Sequence, residues 1–483
     1  MKSNEKQVYS GIVWAFAERF ASQFVSIVVA IVLARILAPE LFGVISIVTV
    51  IIAICNVFVT GGFGNALVQK KDADELDFST IVIFSFFFSL FIYALAYLSA
   101  KPIADFYDMP ELVPVIRLMA LRLPVASINS VQQAYVSREM KFKLLFFVTV
   151  FGAFISGIIG IIMALMGFGV YALVGQFLIS MVSDTIVLSL VLKKRIKLGF
   201  SLVRLKQLFP FGLSVMLSEL AGTLSDNVRT IVVGKGFSAS QLAFYAKGNQ
   251  FPSVIVANVN TAMGKVLFPA LAKEQDREEE SAQLSKRILQ TSLYVLTPLL
   301  LLLTFCADPL IKILYNEQWY DMIPYIQVLA LSYILVPIHT TSLQRIKANG
   351  LGKEYLIVQI IKISIGLILM FASVILFDDA IYVAYSYFIA VFVSTLIHLF
   401  VNKHLFKQTY TSQWKDISII LGVNIVVALL LFLMSPLDKW PFLSFFVKGI
   451  MGVLSYVLLS KMMNVPIYSQ LKSVIIKFIS KKI

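Results

Sequence analysis

Leu37-Ala38-Pro39-Glu40-Leu41-Phe42-Gly43 lies between two long apolar runs, and Phe237-Ser238-Ala239-Ser240-Gln241-Leu242-Ala243 lies between two more, 200 residues later. The same offset carries Gly64-Asn65-Ala66-Leu67 onto Gly264-Lys265-Val266-Leu267, and Glu18 falls one residue off Glu219. Further on, Ala100-Lys101-Pro102 answers Ala307-Asp308-Pro309, and Ile116-Arg117-Leu118 answers Ile326-Gln327-Val328. Apolar helices resemble one another by chance, so no single fragment carries weight. In order and in register they indicate an internal duplication within a membrane protein, a plan common among transporters.

Composition agrees. Hydrophobic residues make up 59% and charged residues 14% of the 483-residue chain, against about 25% charged in soluble domains. Apolar stretches long enough for a ~30 Å hydrocarbon layer recur from end to end. No cleavable signal peptide is expected, because the polar opening is short and no small-residue cleavage site follows the first apolar run. Cys55 and Cys306 fall in or beside apolar runs and read as core residues. His339, His398 and His404 form no metal motif. Neither a metal nor an organic cofactor is expected.

Cutting at the polar breaks gives about fourteen transmembrane helices, an all-α integral membrane fold. The division is an N-terminal six-helix bundle over 1–192, a cytoplasmic amphipathic linker over 193–207 and a second six-helix bundle over 208–402. Two extra transmembrane helices within 403–465 and a basic amphipathic helix over 466–483 follow. Six helices separate the copies, so the repeat is parallel and not inverted. With the N-terminus inside, roughly 28 of the 41 Lys+Arg fall on the cytoplasmic side, among them Lys193-Lys194-Arg195 and Lys197. Both termini are therefore expected in the cytoplasm. The net charge of +14 reads as a topology signal and a response to anionic lipid heads, with no nucleic-acid partner. Trp319 and Trp440 at the outer boundary, with Trp14 and Trp414 at the inner one, fit an aromatic belt.

Charges that cannot avoid the membrane are the candidate functional groups, since each costs about 2.5–3.5 kcal/mol at mid-depth without water or a partner. Glu18 and Arg19 fall near the middle of the first span, with Arg117 and Arg122 in the fourth. Glu219, Asp226 and Arg229 share the seventh, the last two spaced for partial self-neutralisation. Lys247, Asn249, Asn258 and Asn260 are in the eighth. Lys362 and Lys448 sit near the ends of later spans, where a lysine can snorkel. A cavity lined by the polar helices, with cations in excess, suits a phosphate or pyrophosphate bound through Arg. The bland alternative is interhelical ion pairing such as Glu18 with Arg122. For ion coupling the candidates are Glu18, Glu219 and Asp226, where a change of environment would bind and release a proton or sodium ion.

The opening Gly11-Ile12-Val13-Trp14 through Leu33-Ala34-Arg35-Ile36-Leu37-Ala38-Pro39-Glu40-Leu41-Phe42-Gly43 resembles bacterial Wzx-type polysaccharide flippases. Gly61-Gly62-Phe63-Gly64-Asn65-Ala66-Leu67-Val68-Gln69 is similar to their second-helix ending, and Val266-Leu267-Phe268-Pro269-Ala270-Leu271 to the matching end of helix 8. These flippases belong to the multidrug/oligosaccharidyl-lipid/polysaccharide (MOP) exporter superfamily, and the nearest branch is WzxC/TuaB-like. The resemblance implies two bundles in a V, as in MATE and MurJ-like transporters, working by alternating access in the bacterial cytoplasmic (inner) membrane. It implies an undecaprenyl-diphosphate-linked oligosaccharide as substrate, for exopolysaccharide, O-antigen (lipopolysaccharide) or teichuronic acid synthesis. It also implies a proton or sodium gradient as the driving force, and a polysaccharide polymerase and assembly machinery as partners besides membrane lipids. Arg19, Arg117 and Arg122 would hold the diphosphate, with Asn258 and Asn260 at the sugars. Two competing readings are a multidrug or other small-molecule antiporter of the same superfamily and a membrane enzyme. Excess cavity cations weigh against an organic-cation substrate. The longest outer break, about fifteen residues, offers an enzyme no acid–base constellation.

Overall fold

A computed structural model of the chain describes residues 2–192, 199–273, 277–407, 410–470 and 473. Among the described residues it is helical, with no strand. The first eight helices are α1 (Lys2–Ile36), α2 (Pro39–Thr60), α3 (Phe63–Gln69), α4 (Glu75–Tyr107), α5 (Leu112–Ala120), α6 (Arg122–Arg138), α7 (Phe142–Leu165) and α8 (Val170–Val191). After the linker come α9 (Leu202–Gly236), α10 (Ala239–Lys273), α11 (Glu278–Leu314), α12 (Ile323–Tyr333), α13 (Val336–Ala348), α14 (Gly352–Leu376) and α15 (Ile381–Phe406). The described chain closes with α16 (Tyr410–Leu433) and α17 (Pro441–Met462). Twelve helical segments among the described residues are long and apolar enough to cross a bilayer, with Ile417–Leu433 a shorter apolar helix. This is a multi-pass membrane protein. The expected count of fourteen is approached but not reached by that measure: α10 is absent from the twelve and α16 falls short in length. Lys193-Lys194-Arg195, Lys197 and the tail beyond residue 473 lie outside the described residues, so the two amphipathic segments are only partly seen.

The duplication is visible in how helices break. In the fourth helix of each copy a proline sits four residues past the end of the first half: α5 ends at Ala120 before Pro124, and α12 ends at Tyr333 before Pro337. A proline ring clashes with the carbonyl four residues back and lacks an N–H, so each span divides there. The two opening stretches also touch. Ser240 Oγ donates to Glu40 Oε1 at 2.8 Å, linking positions 200 apart. A Cβ on Gly43 would overlap the Ala239 backbone, so that approach requires glycine.

Chain contacts divide the protein into Met1–Ala243 and Phe244–Ile483. The repeat places 208–402 in one bundle, yet α9 packs within the first unit, against α2, α3 and α4. Polar ties explain this. Ser79 and Thr80 of α4 bond the backbone of Gly199 and Ser201, while Arg204 reaches Asp74 at 3.0 Å and buried Asp77 at 3.5 Å. At the far end Lys235 pairs with Asp108 at 2.7 Å and Tyr107 donates to the Ile231 carbonyl. Asp74 caps α4 in a reciprocal box with Asp77. The Asp77 N–H, with a smaller contribution from Arg204, holds the Asp74 carboxyl below the usual carboxylate value.

Gly62, between α2 and α3, has φ +89°, and a Cβ there would overlap the Gly212 carbonyl of α9. Gly167 has a similar φ of +83° with open space around it. Both Gly→Ala changes carry backbone strain of about 1–3 kcal/mol. Gly62→Ala adds a steric clash, so it should lower the melting temperature in detergent more than Gly167→Ala. Equal effects would remove the α3–α9 approach from the account.

The second unit corrects two expectations. Trp319 is not a lipid-facing belt residue: it is fully buried against Phe244 and Tyr315, turned inward by the short 3-10 helix Glu317–Met322. Lys448 does not snorkel. It is 1% exposed, 2.7 Å from Asp438, and donates to the Phe305 carbonyl. The partly exposed Asp438 carboxylate, in the 3-10 turn just before α17, is the partner that makes burial of this ammonium tolerable. Asp438→Ala should therefore cost about 3–5 kcal/mol by stranding that ammonium, and Lys448→Met in the same background should restore much of the loss in detergent melting. Failure of the second change to rescue would mean the pair is not the source.

Candidate functional site

The intramembrane charges of the first unit fall into separate environments. Glu18, half-buried on α1, accepts a hydrogen bond from Thr149 Oγ1 of α7 at 3.0 Å. One turn further along α7, Gly152 leaves the space that the Asp184 carboxylate of α8 occupies; a Cβ at 152 would overlap Asp184 Oδ1. Residues 149 and 152 share a helix face, so α7 presents both carboxylates side by side, and Glu18 lies within electrostatic range of Asp184. Asp184 Oδ1 is buried and accepts no hydrogen bond. An acid pair with an unsatisfied oxygen and no cation described against it can bind a proton or a small cation.

Arg122 opens α6 at the proline break and is half-buried. Its Nε is sealed from solvent without an acceptor, and the guanidinium sits 6.0 Å from the Phe177 ring of α8. The anticipated Glu18–Arg122 ion pair is not formed, since Glu18 is held by Thr149 instead. Arg117 is otherwise occupied, stacked 4.1 Å over Tyr97 with Nε donating weakly to the Tyr97 carbonyl. Arg19 is exposed. Glu219, on α9, is also exposed and accepts from Asn65 Nδ2 at 3.4 Å, beside the Gly61-Gly62 break. Glu18 and Glu219, matched in the repeat, thus have different surroundings. Asp226 and Arg229 are both engaged in interactions, Asp226 exposed and Arg229 half-buried.

Within the second unit Lys247 is engaged, and Asn249 Oδ1 accepts from Tyr333 at 3.1 Å, which leaves it a structural partner of α12. Asn258 and Asn260 are half-buried, and Asn260 Oδ1 has no donor. His339 and His398 are buried and stacked with ring centroids 4.7 Å apart. His339 bonds Thr395 and His398 bonds Ser342, so these rings belong to the packing of α13 on α15.

Sequence reasoning passed over Asp184. The available signal was an acid well inside the apolar sixth span, of the same kind that drew attention to Glu18. Its partner helix, α7, carries no charge within the membrane, and the reading that polar helices line the site looked past an apolar helix able to hold two acids.

Known proteins bear on this arrangement. The chain is 28% identical over 278 residues to the teichuronic acid biosynthesis protein TuaB of Bacillus subtilis, the match spanning 57% of each chain. It is 24% identical over 349 residues to the succinoglycan biosynthesis transport protein ExoT of Rhizobium meliloti, spanning 72% of this chain and 71% of that one. Among solved structures, the lipid II flippase MurJ in an inward closed conformation superposes with a TM-score of 0.71, covering 93% of this chain and 98% of that one at 16% identity. That likeness establishes the fold. Residues 32–324 match the family model described as polysaccharide biosynthesis protein, more than half of the sequence, and the chain belongs to that family.

Proposed function

We propose that this protein carries undecaprenyl-diphosphate-linked oligosaccharide units across the bacterial cytoplasmic membrane, with both termini in the cytoplasm. The observation carrying the reading is Arg122: a guanidinium inside a membrane span whose buried Nε has no acceptor. An unsatisfied buried donor on a cation is costly, and a diphosphate oxygen would satisfy it with a charge-assisted bond. Membership of a family whose relatives are named for teichuronic acid and succinoglycan synthesis supplies the substrate class. In this reading Arg19 and Arg122 meet the diphosphate, with Arg117 a supporting residue held by Tyr97. No covalent chemistry is required.

Coupling is assigned to the Glu18–Asp184 pair and not to Glu219, because both members of the pair are half-buried and one Asp184 oxygen is sealed without a donor, while Glu219 is exposed. Binding of a proton or sodium ion to the pair would bias one conformation over another by its differential affinity. Cells lacking the protein should accumulate the lipid-linked oligosaccharide, and re-expression should clear it. An unchanged lipid-linked pool would count against the assignment.

A further inference from the structure

The first unit contains a cavity whose lining excludes the charged groups assigned to transport. It lies where α4 begins and α6 and α8 end, and measures about 490 Å³, within the usual range for small-molecule sites. Its walls are largely apolar, formed by Phe78, Ile128, Val131, Tyr135 and Leu192. Phe78 and Tyr135 meet edge to face, with ring centroids 5.7 Å apart.

The polar groups of the lining are unequal. Gln132 is 7% exposed; its Nε2 donates to Ser189 Oγ at 2.7 Å, and that hydroxyl donates on to the Thr185 carbonyl. Gln132 Oε1 is left buried with no donor. Arg138, the lining cation, directs its N–H groups to the carbonyls of Leu67, Lys70 and Lys71, closing the end of α3. The rim carries Asp74, Glu75 and Glu139. Asp74 is met by Arg204 at 3.0 Å, and Glu139 has Lys141 at 3.7 Å. Arg138 and the Ser189 hydroxyl are thus turned to carbonyls, while the buried lining atom left without a partner is an acceptor, the Gln132 amide oxygen, below a carboxylate-bearing rim.

We infer that this cavity binds an amphiphile bearing a protonated primary amine, whose N–H donors meet the acceptors while its hydrocarbon body fills the apolar space. A hydrocarbon body accounts for the walls, and an unsatisfied buried acceptor favours a ligand that donates. The same chemistry occurs in a free lipophilic amine and in an ethanolamine lipid headgroup. The inference is independent of the transport assignment, because binding is read without transport.

The test is thermal unfolding of the full-length protein in phosphatidylcholine nanodiscs, whose headgroups have no N–H donor. Dodecylamine should raise the melting temperature, and dodecanol, which offers one O–H donor and no charge, should raise it less. Gln132→Leu, which keeps the volume and removes the acceptor, should weaken the apparent amine affinity by about tenfold. Ile128→Trp, which fills the space, should abolish the response. If replacing phosphatidylcholine with phosphatidylethanolamine raises the melting temperature and leaves dodecylamine without further effect, the ligand is the lipid headgroup. If that exchange changes nothing while dodecylamine still stabilises, the ligand is a free amine. Equal stabilisation by dodecylamine and dodecanol in the wild-type protein overturns the inference even if neither variant folds. So does an amine response that survives in Ile128→Trp.

Discussion

Arg122→Ala should reduce flipping of a lipid-linked oligosaccharide by at least about 100-fold, the loss expected when a charge-assisted bond of about 3 kcal/mol disappears from a site shielded from water. Protein level and membrane insertion should be unaffected, because no ion pair or hydrogen bond is described for this guanidinium that the fold would miss. Truncation removes an unsatisfied donor, so detergent melting should hold or rise slightly. That combination separates a substrate contact from a structural one: a structural arginine loses stability together with activity. Arg122→Lys keeps the charge and loses the planar fork, and should fall to an intermediate rate, about tenfold below wild type. Initial rates in proteoliposomes, alongside melting curves for the same preparations, provide the check. Wild-type flipping by Arg122→Ala would take the residue out of the site.

Asp184→Asn should uncouple transport. With Asp184 neutral, the pair can no longer exchange a proton or sodium ion between states, so the rate should become insensitive to imposed gradients and fall by roughly tenfold or more under a driving gradient. Glu18→Gln should do the same, leaving the Thr149 contact available to its amide oxygen. Glu219→Gln should retain gradient dependence. Gly152→Ala provides a steric probe of the same geometry. Its methyl group would overlap Asp184 Oδ1, so the carboxylate must move and coupling should weaken with both acids still present. The measurement is flipping under imposed proton and sodium gradients. Uncoupling by Glu219→Gln alone would reverse the assignment.

Much of the architecture was legible because a bilayer imposes harsh rules on sequence. Spans must be apolar and long, and duplications leave matched fragments, as Ala100-Lys101-Pro102 and Ala307-Asp308-Pro309 show; the breaks at Pro124 and Pro337 emerged only with the structure. The placement of α9 was less legible. Its packing in the first unit depends on Arg204 reaching Asp74 and Asp77 and on Lys235 reaching Asp108, contacts across more than 120 residues that no local pattern announces. The candidate site was readable as a set of misplaced charges and unreadable as a geometry. Arg117 and Arg122 are five residues apart and look alike in sequence. One stacks on Tyr97 and the other has a sealed, unsatisfied Nε. Glu18 and Glu219 are near-equivalent by repeat, but only Glu18 gains an acidic neighbour, because Gly152 on an uncharged helix makes room for Asp184. Trp319 and Lys448 show the converse: both have the composition of interfacial residues, and both are buried by contacts from outside their own helices.

The central claim, transbilayer movement of a lipid-linked oligosaccharide, is tested most directly with purified protein in liposomes containing a fluorescent undecaprenyl-diphosphate oligosaccharide and a membrane-impermeant quencher outside. Liposomes without protein should keep their inner-leaflet fluorescence, while liposomes with the wild-type protein should lose it over time as the pool becomes accessible. Liposomes with Arg122→Ala should behave like the empty ones. An inner-leaflet pool that stays protected with the wild-type protein, in membranes where the same preparation exports a lipophilic cation against a proton or sodium gradient, would contradict the claim and establish the antiporter reading in its place.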